Sequence, residues 1–102
     1  MAPSPDSTEI DPSGHRVAFE NEHVRVLEVR NAPGERLAMH SHPARLVVAI
    51  GPYRLKSVDA SGMESIIDRR PGEAVWVEGE EHEAEILIGP THVVEVEVKR
   101  AR

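Results

Sequence analysis

Short runs of Val, Ile and Leu, each cut off by a turn signal, leave this chain little room for anything but β-structure. Asn31-Ala32-Pro33-Gly34, Gly51-Pro52, Ala60-Ser61-Gly62, Arg70-Pro71-Gly72 and Gly89-Pro90 punctuate the sequence too often for helices of ordinary length. Between these breaks the apolar residues alternate instead of recurring at helical spacing. The alternation is clearest over 91–99, where Val94, Val96 and Val98 share one side of a strand and Glu95 and Glu97 the other. Strands are expected near 17–20, 23–30, 36–40, 44–50, 53–59, 63–68, 74–77 and 82–88, with 91–99 available as a ninth. Within 23–30 the parity changes between Val26 and Leu27, which predicts a bulge near Val26. An all-β chain with this spacing closes as a double-sheet jelly roll or a barrel.

With 102 residues there is enough chain for one modest core and not two. Residues 1–14, rich in Pro, Ser and Asp, have little to bury and read as a flexible tail that docks locally, leaving 15–102 as the single domain. A formal charge of −6 argues against binding a phosphate backbone, and the basic end at 99–102 is too short to reverse that, so no nucleic-acid partner is expected. The longest apolar stretch, 46–50, falls far short of the ~20 residues of a membrane span, and residues 1–14 lack the apolar run of a secretory signal. No membrane partner and a cytoplasmic location are therefore expected. Without cysteine there is no disulfide and no thiolate ligand.

His40-Ser41-His42 is the most informative tripeptide. Two residues apart on a strand, the imidazoles share a face with Cα atoms about 6.5 Å apart, and both can lean onto one ion at about 2.0–2.1 Å. The same parity runs on through Ala44, Leu46, Val48 and Ile50, all apolar, so the pair is expected to look into the barrel. His82 shares parity with Ala84, Ile86 and Ile88, while Glu83 and Glu85 alternate outward. Buried imidazoles need partners, and three at one barrel mouth are well satisfied by a metal.

At these residues the sequence resembles the cupin superfamily. The first family motif, G-x5-H-x-H-x3,4-E-x6-G, is met by Gly34 and His40-Ser41-His42, and the second, G-x5-P-x-G-x2-H-x3-N, by Gly79-Glu80-Glu81-His82. Leu46 and Val47 occupy the two places of the motif glutamate, Val77 stands near the proline position and Ile86 at the asparagine. The glycine that closes the first motif is not at its expected distance. The resemblance, which spans 34–86, implies a double-stranded β-helix with His40, His42 and His82 as ligands of a divalent transition metal: Fe, Zn, Ni or Mn. Glu80 or Glu81 is a candidate for the missing carboxylate if the turn bends inward. The expected function is a metal-dependent enzyme, dioxygenase- or isomerase-like, acting on a small polar molecule. The alternatives are a non-catalytic metal- or ligand-binding module and a metal-free structural barrel.

Three further residues are candidates for a substrate pocket. Tyr53 shares parity with Leu55, His92 with Val94, and Arg36 with His40, which makes Arg36 the inward cation that an acidic substrate would need. Trp76, with Ala74 on its face, reads as core. Val47, Ala49, Val75 and Val77 read as an outward apolar face, which predicts a homodimer.

Overall fold

The computed structural model describes residues 4–99. A single-turn helix, α1 (Ser7–Ile10), precedes nine strands: β1 (His15–Glu20), β2 (Val24–Asn31), β3 (Arg36–His42), β4 (Arg45–Ala49), β5 (Tyr53–Asp59), β6 (Glu64–Arg69), β7 (Ala74–Val77), β8 (Glu80–Ile88) and β9 (Thr91–Val98). They form two antiparallel sheets, ordered β1-β2-β9-β4-β7 and β3-β8-β5-β6. Gly34 (φ 87°) and Gly72 (φ 86°) turn the chain in the left-handed region, where a Cβ is costly. Between the sheets lie Leu27, Val29, Val47, Ala49, Tyr53 and Val93.

The faces of two strands are reversed from the sequence expectation. In β9 the buried side carries Val93, Glu95 and Glu97, and Val94, Val96 and Val98 are half-buried on the other. The inward carboxylates are tolerated because arginines meet them: Arg25 Nε donates to Glu97 Oε1 at 2.6 Å, and Arg45 Nε lies 3.3 Å from Glu95 Oε1. Burial pushes the Glu97 carboxyl up, and the Arg25 hydrogen bond opposes that shift.

In β4 the chain has just crossed between sheets at Pro43-Ala44, and the crossing resets the parity carried over from His40 and His42. Arg45, Val47 and Ala49 are buried, whereas Leu46 and Val48 lie on the outer side. Val47 and Ala49 therefore do not form an outward face, and Val77 packs against the core. Trp76 is not core: it is 46% exposed, and its Nε1 donates to Glu78 Oε2 at 2.6 Å. On β4, β7 and β9 the outward apolar side chains are paired by register, Trp76 with Leu46, Leu46 with Val96, and Val48 with Val94.

β2 pairs without interruption from Val24 to Asn31 against β9. The bulge expected near Val26 falls instead on β1, where Ala18 is extra between the pairs Val17–Leu27 and Phe19–Val26.

The segment before β1 packs along the barrel. Ser41 N donates to Pro5 O at 2.8 Å and Ser4 N to Glu81 Oε2 at 2.9 Å, which covers the open edge of β3. Asp6 caps α1 by accepting from Thr8 N at 3.0 Å. Ser7 and Asp11 are buried. Residues 1–3 of the expected tail and 100–102 of the expected domain lie outside the described residues.

Candidate metal centre

His40 on β3 and His82 on β8 are direct register partners, and His42 follows on the same face of β3. All three are buried, and their ring centroids lie 4.7–5.1 Å apart. His40 Nε2 is 3.0 Å from His42 Nε2. Two nitrogens have about this separation when each sits about 2.0–2.1 Å from one ion at near a right angle.

The opposite ring nitrogens are accounted for by the protein. His40 Nδ1 donates to the Ala38 carbonyl at 2.7 Å, which leaves Nε2 with the lone pair. Ser57 Oγ lies 2.7 Å from His82 Nδ1, where the hydroxyl can accept from an Nδ1–H. His42 Nδ1 is the exception: it is buried with no hydrogen-bond partner among the described residues, 3.6 Å from Glu95 Oε1, itself unpartnered. A proton on His42 Nδ1 would face this carboxylate across a gap longer than a hydrogen bond and leave the Nε2 lone pair toward His40. A carboxylate on this side of the ring is the partner usual behind a metal-bound histidine, here set back by the longer separation.

Electrostatics favour neutral rings. Burial, followed by the positive charge of Arg45, holds His42 far below the ordinary histidine range, and burial pushes His82 down to about 3. His40 is also lowered, again chiefly by burial. Neutral imidazole is the form that ligates metal. The donor set therefore fits a divalent ion.

The cavity around the cluster has a volume of about 220 Å³. It includes Tyr53, which is 6% exposed. The other two pocket candidates lie elsewhere. A bulge in β3 between Leu37 and His40 breaks the parity that linked Arg36 to the histidines, and Arg36 points to solvent 3.7 Å from Glu85. His92 does share a face with Val94, but that face is the outer one, and its Nε2 is 2.8 Å from Glu28 Oε2. Of the two candidate carboxylates, Glu80 reaches the cavity and meets Arg45 Nη2 at 3.0 Å, whereas Glu81 is taken by Ser4.

Sequence reading missed four residues that line this space: His15, Arg45, Arg69 and Glu95. His15 donates from Nδ1 to Asp11 Oδ2 at 2.9 Å, and its Nε2 has no hydrogen-bond partner among the described residues. His15, His42 and Glu95 make a second group with ligand atoms mutually within 4.8 Å, beside that of His40, His42 and His82. Pro43 directly after His42 was the available signal for Arg45, since proline marks an interruption of the strand and of its parity.

Two antiparallel sheets closed over inward histidines from neighbouring strands define a double-stranded β-helix with a metal-type imidazole cluster. The chain has the fold of a small cupin domain. A cupin domain from Bordetella pertussis Tohama I is similar over 98% of this chain and 99% of that one, at 25% identity and a TM-score of 0.75. A cupin superfamily protein from Desulfitobacterium hafniense DCB-2 matches 84% of this chain and 76% of its own, at 13% identity and a TM-score of 0.62. Bacillus subtilis oxalate decarboxylase, a protein with Mn(II) centers, is similar over 74% of this chain and 21% of that chain, at 25% identity and a TM-score of 0.56. No protein-family model matches the sequence, and no curated protein matches it.

Proposed function

We propose that this cupin domain is a metal-dependent enzyme for a small polar molecule, with one divalent transition ion held by Nε2 of His40, His42 and His82. The observation that carries the reading is the 3.0 Å approach of two Nε2 atoms whose rings are buried. The Mn(II) centers of the similar oxalate decarboxylase support a metal in this kind of barrel. An ion bound there supplies Lewis-acid polarisation or, for a redox metal, activation of dioxygen. The chain's own residues bind and orient the substrate in a cavity walled by Leu55, Val77 and Ile86. His15, with Nδ1 committed to Asp11, offers Nε2 as a proton acceptor beside the cluster.

One observation favours a metal-free barrel. Arg45 places a buried positive charge near the three rings, and His42 Nε2–H donating to His40 Nε2 would also explain their 3.0 Å separation. Metal analysis of protein purified without an affinity tag separates the two, followed by titration with Fe, Zn, Ni and Mn. The proposal expects one ion per chain, lost in His82→Ala with the fold retained by circular dichroism. Protein that stays metal-free, with no affinity above millimolar dissociation, establishes the metal-free barrel. Oxygen uptake and turnover of small acids and diones by the loaded protein then distinguish an enzyme from a binding module.

A further inference from the structure

Arg45 carries its charge inside the barrel. It is 5% exposed, its Nη2 is ion-paired with Glu80 Oε2 at 3.0 Å, and its Nε lies 3.3 Å from Glu95 Oε1. Nε and Nη1 are buried without a hydrogen-bond partner among the described residues. Buried donors left unmet in this way are destabilising until an acceptor reaches them. Arg69, at the end of β6, lines the same cavity; its Nε is also buried and unpartnered, and no carboxylate among the described residues pairs with it. Tyr53 is the register partner of Arg69. Burial raises its phenol, with Arg69 and Arg45 acting in the opposite sense, so it stays an O–H donor at neutral pH.

The charges around this space set the class of ligand. Glu80 and Glu95, the carboxylates that line this space, offset Arg45 and Arg69, so a divalent ion on the histidines would add two positive charges with no further lining carboxylate to offset them. Arg45 Nη1 and Arg69 Nε are donors awaiting an acceptor. The walls otherwise are apolar, including Leu55, Ile67 and Val77. At about 220 Å³ the cavity is below the ~300–1,000 Å³ of pockets for drug-sized ligands.

We propose that Arg45 and Arg69 form a carboxylate-binding subsite, which makes the ligand of this cavity the anion of a small carboxylic acid. The inference rests on the metal reading for its full strength, but the two arginines act without the ion as well. An arginine suits this role because its planar fork matches a carboxylate and it keeps its charge when buried.

Calorimetry on nickel-loaded protein, with malonate and its neutral diamide as probes, tests it, and nickel content is measured after each run. Malonate is expected to bind at least tenfold more tightly than malonamide and more tightly than inorganic phosphate. Arg69→Gln should weaken malonate at least tenfold while leaving nickel stoichiometry unchanged. Arg45→Gln should weaken it further, but that variant strands Glu80 and Glu95, so Arg69→Gln carries the decision. Equal affinity for malonate and malonamide, phosphate binding as tight as malonate, or an Arg69→Gln protein that binds malonate like the parent overturns the subsite. If nickel does not bind, the metal reading fails by itself. The titration of metal-free protein then decides the subsite, where Arg69→Gln must still weaken malonate.

Discussion

Asp11 and His15 form a buried pair at the start of the barrel: Asp11 Oδ2 accepts from His15 Nδ1 at 2.9 Å and also from Asn31 Nδ2 at 2.7 Å. Gly14 makes the junction possible, since a Cβ there would collide with the Asp11 carboxylate and the Asn31 amide. The segment ahead of β1 thus orients an imidazole inside the cavity.

Asp11→Ala should therefore destabilise the protein. It strips His15 Nδ1 of its partner and weakens the hold on Asn31, a loss of about 1–3 kcal/mol for buried donors left unmet. Gly14→Ala should shift stability in the same direction by forcing the two side chains apart. Urea denaturation of both variants measures the effect; unchanged midpoints would show that the docked segment does not support the barrel.

Leu46→Glu should leave metal affinity within about twofold of the parent, because Leu46 lies on the outer side of β4. Val47→Glu should tighten metal binding, since Val47 is 7% exposed, lines the cavity and sits opposite Glu95 in register. Without metal the same variant should be less stable, with two carboxylates facing each other across the ladder. Thermal midpoints with and without zinc check both statements.

Acid should destabilise the metal-free protein through its buried histidines. His82 is lowered from 6.5 to about 3 by burial, and His40 and His42 are lowered as well, so these rings stay neutral in the fold and take up protons when it opens. The unfolded state binds more protons below pH 6.5, and stability falls with pH by about 1.4 kcal/mol per pH unit for each such ring. The loss begins near pH 6.5 and runs down toward the folded values, and Glu97, raised in the fold by burial, takes up its proton in the opposite sense and offsets part of it. Denaturation at several pH values with chelator present tests this, and His82→Asn should flatten the slope by one proton.

Self-association is proposed through the outer face of the five-stranded sheet, where Trp76, Leu46 and Val96 lie side by side. Val96→Lys, which places a charge in that row, should convert a dimer to a monomer by light scattering without loss of fold. A parent protein that is monomeric at micromolar concentration rejects the proposal.

The sequence by itself determined the strand pattern, the turns and the three histidines. Period-two alternation and Gly/Pro punctuation are local properties, and His40, Ser41 and His42 share geometry within a single strand. What it did not determine was which face of a strand is inner. Alternation in β9 separates valines from glutamates, but only the tertiary pairing of Arg25 with Glu97 and of Arg45 with Glu95 makes the glutamate side the buried one. Parity also fails to carry across the bulge in β3, which turned Arg36 outward, and across the crossing at Pro43-Ala44, which turned Arg45 inward. His15, Arg69 and Glu95 come to the histidines from three different strands. No local spacing records such a meeting, because it is created only when the two sheets close.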